Sequence, residues 1–327
     1  MKRSMLGIAA AVAALGMALA GGARADQTVT VAFGDVPSVE SLAMLVAFER
    51  ARERGVTVEL VSVVEEDIAA QVVVSGQADI GIGTPYAMIQ KVKAPIRMFL
   101  QMSVLRFYPV VNTEFYREWK DLDGQEIAVH SRGSGTEAIM KLMAQKHGIA
   151  YSSISYVPGS EVRAGAMLEG TIKATIVDAA NRRLLEEKAP GRFAVLPIEG
   201  VNATDEALYA STEFLTEHAA AVDVIVEELL KVAREVTADP ASIVKLREQY
   251  GLLPDLPADL AAEIEPYFAE SAAAQAFPAN GGSAAAAQDD LAFYGLAGQL
   301  EGDPASLNVA DFWDFGPTER AVAKLGQ

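Results

Sequence analysis

The chain contains no cysteine, and basic residues are scarce, with 27 lysines and arginines against 44 acidic residues in a length of 327. Without cysteine there can be no thiol nucleophile, thiolate metal site, disulfide or lipid-modified N-terminal cysteine. A formal charge of −17 disfavours binding to nucleic acid or to an anionic membrane, because both require a basic surface. The 51% of apolar residues is enough for sizeable cores, and the length predicts about two domains.

Residues 1–25 have the pattern of a cleavable signal peptide. A basic start precedes the apolar run over residues 5–20, and Ala23 and Ala25 are the small residues that a signal peptidase recognises. A membrane anchor is the alternative, but the run falls short of the ~20 residues that span a bilayer. No later segment has 18 consecutive apolar residues. We therefore predict export to the periplasm, where the mature chain acts as a monomer.

The remaining chain repeats one order of predicted elements after about 95 residues. The first unit begins with a β-branched strand over residues 29–33, continues through helix, strand and helix, and ends with a strand before Thr84. The second unit begins with a strand over residues 126–129 and ends before Asp178 in the same order. Such β-α-β-α-β units require parallel strands with helices on both faces. The sequence therefore predicts an α/β fold with two similar lobes.

The chain after residue 211 is mainly helical and too short for a third unit of this kind. We expect it to pack onto the first lobe, which gives lobe I as residues 26–113 and 200–327 and lobe II as residues 114–199. Two chain crossings between the lobes would form a hinge. Lobe II contains 11 basic and 12 acidic residues, whereas the rest of the mature chain contains 13 and 32, so lobe II would repel an anion less.

Three segments carry a family resemblance, namely QVVVSGQADIGIGTPYAMI, DLDGQEIAVHSRGSGTEAIMKLMAQKHGI and VRAGAMLEGTIKATIVDAA, in this order. Together they resemble the substrate-binding proteins of ABC importers of the nitrate, sulfonate, taurine and thiamine-precursor type, and the late NVADFWDFGPTERAVAKLG is similar too. The resemblance implies a type II periplasmic-binding-protein fold, with each lobe a mainly parallel sheet flanked by helices. It also implies that the lobes close on a small-molecule ligand, without a cofactor, and deliver it to an inner-membrane permease with its ATPase subunit. Lys173 departs from the aspartate common in the family, which we interpret as a local surface change.

The loop over residues 130–136 joins a predicted strand to a predicted helix, which is where ligands bind in open α/β sheets. A helix N-terminus there offers free N–H groups and a partial positive charge to an anion. We predict that Ser134, Gly135 and Thr136 bind such an anion. The alternative is that the hydroxyls only cap the helix, which uses the same chemistry.

The other predicted ligand-binding residues lie at further strand ends and at the first crossing between the lobes. Thr84 could supply a hydroxyl, Tyr86 an aromatic wall, and Arg106 a bidentate contact to a carboxylate or sulfonate. Asp178 could accept a hydrogen bond from a ligand N–H, or it could cap the following helix. Each of these residues also has an ordinary role in a core, a cap or a surface. The full set is Gly34, Asp35, Ser38, Thr84, Pro85, Tyr86, Arg106 and Asp178.

An enzyme is the main rival class. Gly133-x-Gly135-x-x-Ala138 formally fits the dinucleotide fingerprint, but the next strand ends in Val157-Pro158-Gly159, where an acidic ribose ligand is expected. The three histidines are far apart in sequence and form no metal-binding pair. Biosynthetic enzymes on the thiamine-precursor branch carry, as the resemblance implies, a cysteine-rich segment that is absent here. We predict no catalytic residue, no metal and no enzymatic activity.

The sequence thus predicts a periplasmic solute-binding protein that captures a small organic anion, either a sulfonate or a carboxylate, with or without an aromatic ring. A heteroaromatic vitamin precursor such as a pyrimidine is the alternative ligand, because Asp35 and Asp178 could accept hydrogen bonds from ring N–H groups. A solute receptor of a TRAP-type importer, or of a sensory system, is the alternative to a component of an ABC importer.

Overall fold

Two five-stranded sheets organise the chain in the computed structural model, which describes residues 27–63 and 65–326. The predicted signal peptide, residues 1–25, lies outside the described residues. None of the described helices has the length and apolarity that a membrane crossing requires.

The first sheet has the strand order β2-β1-β3-β10-β4. Its strands are β1 (Gln27–Phe33), β2 (Val56–Ser62), β3 (Ile80–Gly83), β4 (Ile96–Gln101) and β10 (Ala207–Ser211). β1 is parallel to both β2 and β3, whereas β10 is antiparallel to β3 and β4. The β-branched residues Val29 and Val31 of β1 are buried, as expected for a central strand covered by helices.

The second sheet repeats this arrangement with the order β7-β6-β8-β5-β9. Its strands are β5 (Tyr108–Asn112), β6 (Glu126–Val129), β7 (Ser153–Tyr156), β8 (Ala174–Val177) and β9 (Phe193–Val195). β6 is parallel to β7 and β8, and β5 is antiparallel to β8 and β9. The two predicted β-α-β-α-β units are therefore present, one in each sheet.

Each sheet is mainly parallel, as predicted, but one strand that enters it directly from the other lobe runs antiparallel to its neighbours. β5 follows the first crossing into the second sheet, and β10 follows the return crossing into the first, so both run against the strand beside them. As a result, residues 108–113, which we assigned to lobe I, contribute their strand to the second sheet. The expected boundary at residue 114 therefore falls too late, and the rest of the division stays a prediction.

Helices cover the sheets and form the C-terminal part of the chain. They are α1 (Leu42–Glu53), α2 (Glu66–Val74), α3 (Tyr86–Lys91), α4 (Gly135–His147), α5 (Ser160–Glu169), α6 (Ala179–Lys188), α7 (Thr212–Glu217), α8 (Ala219–Ala238), α9 (Ser242–Tyr250), α10 (Ala258–Ala262), α11 (Ile264–Ala273), α12 (Ala284–Leu296) and α13 (Gly316–Leu325). The 20-residue α8 packs its buried face on α1 and α13. Gly148, in the left-handed region at φ 63°, ends α4.

The two chain crossings between the sheets are hydrogen-bonded to each other. Leu105 donates its backbone N–H to Ala203 O at 2.9 Å, and Asp205 donates to Ser103 O at 3.0 Å. This short antiparallel pair connects the lobes at one place, as the hinge prediction requires.

We expected the C-terminal helices to pack on the first lobe, but they contact both lobes. Arg183 of α6, on the second sheet's side, pairs with Glu263 and Glu270 of the α10–α11 region. Lys188 of α6 also pairs with Asp259 at 2.8 Å. These contacts with the second lobe form because α6 carries basic side chains and the facing part of the tail carries acidic ones.

A buried hydrogen-bond network fixes the tail to the hinge through Asp290 of α12. Its carboxyl accepts hydrogen bonds from Thr204 N at 2.7 Å, from Thr204 Oγ1 at 2.6 Å and from Tyr86 OH at 2.6 Å. The indole N–H of Trp313 donates to the same Tyr86 oxygen at 2.9 Å. Burial raises the pKa of Asp290 to about 6, although these hydrogen bonds act to lower it.

We predict that Asp290→Ala lowers the free energy of unfolding by about 3 kcal/mol or more, because three buried donors lose their acceptor. Urea unfolding at pH 7 measures this change. Asp289→Ala is the matched control, since Asp289 is exposed on the same helix. A loss no larger than that of the control would contradict the structural role assigned to Asp290.

Candidate functional site

Three cavities lie where the two lobes meet. The smallest, which we call the central cavity, has a volume of about 40 Å³. It is flanked by a cavity of about 440 Å³ beside the start of α6, called the α6 cavity, and by one of about 250 Å³ beside α3, called the α3 cavity. The central cavity is lined by Phe33, Gly34, Asp35, Glu40, Glu66, Ile82, Gly83, Phe107, His130, Ser134, Gly135, Thr136, Ser160, Arg163, Asp205 and Glu206.

The central cavity lies at the carboxyl ends of parallel strands. Gly34 directly follows β1, Gly83 ends β3, and His130 directly follows β6. This is the edge at which open α/β sheets bind ligands, and here the edges of two sheets face each other. A molecule in this cavity would contact both lobes at once.

Five of the predicted residues are brought together here, namely Gly34, Asp35, Ser134, Gly135 and Thr136. A glycine is required at the first of these positions because a Cβ on Gly34 would lie 2.5 Å from Glu66 Cα. The loop after β1 can therefore pack directly against the start of α2.

Other predicted residues line the neighbouring cavities. Ser38 and Asp178 lie on the α6 cavity, and Thr84 and Pro85 lie on the α3 cavity. The carboxylate of Asp178 caps α6, accepting hydrogen bonds from Asn181 N at 2.8 Å and Asn181 Nδ2 at 2.9 Å. Its capping role, which was the alternative, is therefore present in the structure.

Three of the predicted side chains are used inside the protein. Tyr86 is fully buried and binds Asp290, so it forms no wall of the cleft. The Thr84 hydroxyl donates to Tyr294 OH at 3.1 Å. Arg106 donates to the backbone carbonyls of Leu105 at 2.9 Å and Ala274 at 3.0 Å, so its guanidinium ties the hinge to the end of α11.

The hydroxyls predicted to bind an anion are occupied by local hydrogen bonds. Ser134 Oγ donates to Ser131 O at 2.8 Å and accepts from Glu137 N at 3.3 Å. Thr136 Oγ1 lies 2.8 Å from Ser134 Oγ and accepts from His130 N. The hydroxyls therefore act as a helix cap, which was the alternative to the anion site.

A carboxylate of the protein already occupies the N-terminus of α4. Glu137 Oε2 accepts a hydrogen bond from Gly133 N at 2.8 Å, and the side chain is buried. Burial acts to raise the pKa of Glu137, but hydrogen bonds from Lys141 and Gly133 hold it below its usual value. The ionised carboxylate offsets the positive end of the helix and weakens its attraction for a second anion.

The acidic wall of the central cavity was not predicted from the sequence. Besides Asp35, it consists of Glu40, Glu66, Asp205 and Glu206. Burial raises the pKa of Asp35 to about 6 and that of Glu66 to about 8. Burial and the negative charges nearby also raise the pKa values of the other three. The acid excess of lobe I was the available signal, but the sequence did not show that these side chains converge.

His130 joins the two lobes as a neutral imidazole. Gly159 N donates to its Nδ1 at 3.3 Å, so Nε2 carries the proton and donates to Gly34 O at 3.0 Å. Burial and the charge of Arg163 lower the pKa of His130 to about 4. At neutral pH the 3.6 Å separation between His130 Nδ1 and Asp35 is therefore not an ion pair.

Among the residues that the structure describes, Arg163 is the one arginine or lysine on the central cavity, and it is 1% exposed. Nε donates to Ile176 O at 3.0 Å, Nη1 to Val157 O at 2.7 Å and Nη2 to Ser160 Oγ at 3.0 Å. All three acceptors are neutral.

Within the described part of the chain, no group of three histidine, aspartate or glutamate side chains is placed to hold a metal ion.

Comparison with known sequences gives one family match. Residues 43–243 match the family model described as NMT1/THI5 like, which spans more than half of the chain. No curated protein sequence matches the chain.

Several solved structures are similar along nearly the whole chain. A protein of Bordetella bronchiseptica RB50 is 20% identical with a TM-score of 0.72, covering 91% of this chain and 98% of its own. The alkanesulfonate-binding protein SsuA of Xanthomonas axonopodis pv. citri, solved with bound MOPS, is 18% identical with a TM-score of 0.65, covering 89% and 99%. The periplasmic nitrate-binding protein NrtA of Synechocystis PCC 6803 is 10% identical with a TM-score of 0.69, covering 92% and 89%. These similarities confirm the predicted two-lobed fold.

We predict that Glu66→Gln makes the ligand-free protein less sensitive to rising pH. The folded-state pKa of Glu66 lies above its unfolded value, so its stabilising contribution is complete below about pH 4.5 and is lost as the pH rises through about 8. Burial is the main cause, and the carboxyls of Asp205, Asp35 and Asp67 also face this group. Melting temperatures between pH 5 and 9 should therefore fall less in the variant than in the wild type.

Glu59→Gln is the control for this measurement, because Glu59 is exposed on β2. A Glu66→Gln profile that overlays the wild-type profile would contradict the raised pKa.

Proposed function

The chain belongs to the NMT1/THI5-like family, and we propose that it is the periplasmic solute-binding component of an ABC importer. In this role it takes no chemical step. It captures a small molecule between its lobes and presents the closed form to an inner-membrane permease, whose ATPase subunit supplies the energy. The binding role agrees with the fold, which the chain shares with an alkanesulfonate-binding protein and a nitrate-binding protein.

One observation carries the proposal, which is the position of the central cavity. Its walls come from the facing edges of two sheets, and Asp205 on its lining also belongs to the hydrogen-bonded hinge. A ligand bound there contacts both lobes only when they are closed. The difference between its affinities for the closed and open forms supplies the free energy of closure.

Direct contacts between the lobes also support closure. His130 on the second lobe donates to Gly34 O on the first, and Arg183 pairs with Glu263 and Glu270 of the tail. The three side chains of these ion pairs are partly exposed, so water weakens their attraction, and they can guide closure without locking the closed form. Ligand contacts would then decide whether the closed form persists.

The lining does not favour the predicted organic anion. Five carboxyls and a single guanidinium face the central cavity, and Glu137 occupies the helix terminus that was expected to hold the anion. A sulfonate or carboxylate would enter a region of negative potential. The alternative ligand of the sequence analysis, which donates N–H groups, agrees better with this lining. Asp35 is one of the acceptors that the lining offers to such a ligand.

We predict that a ligand raises the melting temperature of the mature protein. At 100 times its dissociation constant a ligand adds about 2.7 kcal/mol of stability, which corresponds to a shift of roughly 5 °C or more for a chain of this size. Thermal-shift measurements against sulfonates, carboxylates, nitrate, pyrimidines and amines test this. If no member of the panel shifts the melting temperature, solute binding is contradicted.

A second prediction concerns lobe closure. Spin labels at Val36→Cys on the first lobe and Val162→Cys on the second should move closer together when a stabilising ligand is added, as measured by pulsed electron spin resonance. Both positions are exposed, neither lines a cavity described above, and no native cysteine competes for the label. Labels at Val61→Cys and Val74→Cys, both exposed in lobe I, are the control and should keep their separation. An unchanged distance between the lobes with bound ligand would rule out the closure mechanism.

A further inference from the structure

The two walls of the central cavity carry opposite charges. The wall from the first sheet and the hinge contributes five carboxyls, those of Asp35, Glu40, Glu66, Asp205 and Glu206. The wall from the second sheet contributes Arg163 and the neutral His130, together with hydroxyl groups. Acidic groups therefore outnumber the fixed positive charge on this cavity by five to one.

The acidic wall has no cation of its own. Within the described residues none of the five carboxyls is paired with a lysine or arginine, and the charge contact of Asp35 is to the neutral His130. Few hydrogen bonds reach them. Val36 N donates to Asp35 at 2.7 Å, and Ser103 Oγ donates to Asp205 and Tyr267 OH to Glu40, each at 3.3 Å. The five side chains are partly removed from water. Carboxylates in such a position without a counter-charge are costly, and a bound cation would remove that cost.

Arg163 cannot neutralise this wall. Its guanidinium donates to Ile176 O, Val157 O and Ser160 Oγ and is held in the second lobe by these bonds. The attraction between Arg163 and the acidic wall therefore acts across the cavity and leaves the carboxyls available to a ligand.

An unsatisfied acceptor in the adjoining α6 cavity points independently to a ligand donor. Asn181 is 4% exposed and lines this cavity, and its Oδ1 has no hydrogen-bond partner among the described residues. The amide orientation is fixed because Nδ2 donates to Asp178 Oδ2 at 2.9 Å. The free atom is therefore an oxygen that requires an N–H or O–H donor.

We propose that the ligand carries a protonated nitrogen, as an amine, amidine or guanidine, and has no net negative charge. The inference rests on the proposed function, since it names the ligand class of that same site. The cationic nitrogen lies against the acidic wall of the central cavity, and the rest of the molecule extends towards Asn181 in the α6 cavity. That cavity, at about 440 Å³, exceeds the ~150 Å³ that accommodates benzene, so it has room for a ring or a short chain.

The test uses matched probes that differ only in charge. Benzylamine, benzyl alcohol and benzoate form one series, and butylamine, butanol and butyrate form a second. Amino acids such as 4-aminobutyrate form a zwitterionic arm that tells a simple amine from a ligand whose acidic end faces Arg163. Isothermal titration calorimetry at pH 8 should give the amine, or the zwitterion, a Kd at least about tenfold lower than that of the matched alcohol, and the carboxylate the weakest binding.

Variants of the acidic wall identify the site. Glu206→Gln and Asp205→Asn should each weaken amine binding about tenfold or more, because a charge-assisted hydrogen bond is lost. Binding of the neutral alcohol should change little. Each substitution replaces a partly buried carboxyl by an amide of the same shape, so the variants should remain folded, which circular dichroism checks. Glu59→Gln, on the exposed face of β2, is the matched control and should bind as the wild type does.

The outcomes separate the ligand class from the function. Binding of sulfonates or carboxylates alone, with lobe closure, would overturn the cationic ligand and leave the solute-binding role intact. Amine binding that is unaffected by Glu206→Gln and Asp205→Asn would also overturn it, as would equal stabilisation by Mg²⁺ or Ca²⁺. If no probe of any charge binds, the proposed function itself is contradicted.

Discussion

Closing two lobes around carboxyl groups is the constraint on which the rest of this structure depends. Carboxylates lose their hydration when the cleft closes, so the empty closed form must either protonate them or leave their charges uncompensated. The raised pKa values of Asp35 and Glu66 express this cost. A ligand with a positive charge converts the same groups from a cost into binding free energy. In the binding role that we propose, the acidic wall would therefore couple occupancy of the cleft to the preference for the closed form.

The position of this wall is set by a part of the chain far from it in sequence. Thr204 is held by Asp290 and Tyr294 of α12, and the next two residues are Asp205 and Glu206. The C-terminal helices therefore do more than cover lobe I. They fix the backbone of the return crossing at the place where it presents two acids to the cavity, and they contact the second lobe through Arg183.

The sequence predicted the regular parts of the fold because their signals are local. Strand, glycine and helix follow each other in the same order in both units, and the two sheets have equivalent strand orders. The sequence did not show that β5 joins the second sheet as an antiparallel strand, because the partners of a strand depend on the lobe in which it lies. The roles of Tyr86 and Arg106 were wrong for a similar reason. Their partners, Asp290 and Ala274, lie more than 160 residues away, and no local pattern indicates such contacts. Ser134 and Thr136 line the central cavity, but the sequence could not show which role they have, because helix caps and anion sites share one composition.

The neutral state of His130 has a consequence for how the protein responds to acidity. Its pKa of about 4 keeps the contact with Gly34 uncharged through the range in which Asp35 and Glu66 change their protonation. Protonation of Asp35 and Glu66 would therefore weaken the binding of a cation, whereas the contact between His130 and Gly34 would stay unchanged. The affinity for the ligand would depend on the carboxyls, and the contact between the lobes on His130. A substitution at a carboxyl could therefore change the affinity while this contact stays constant.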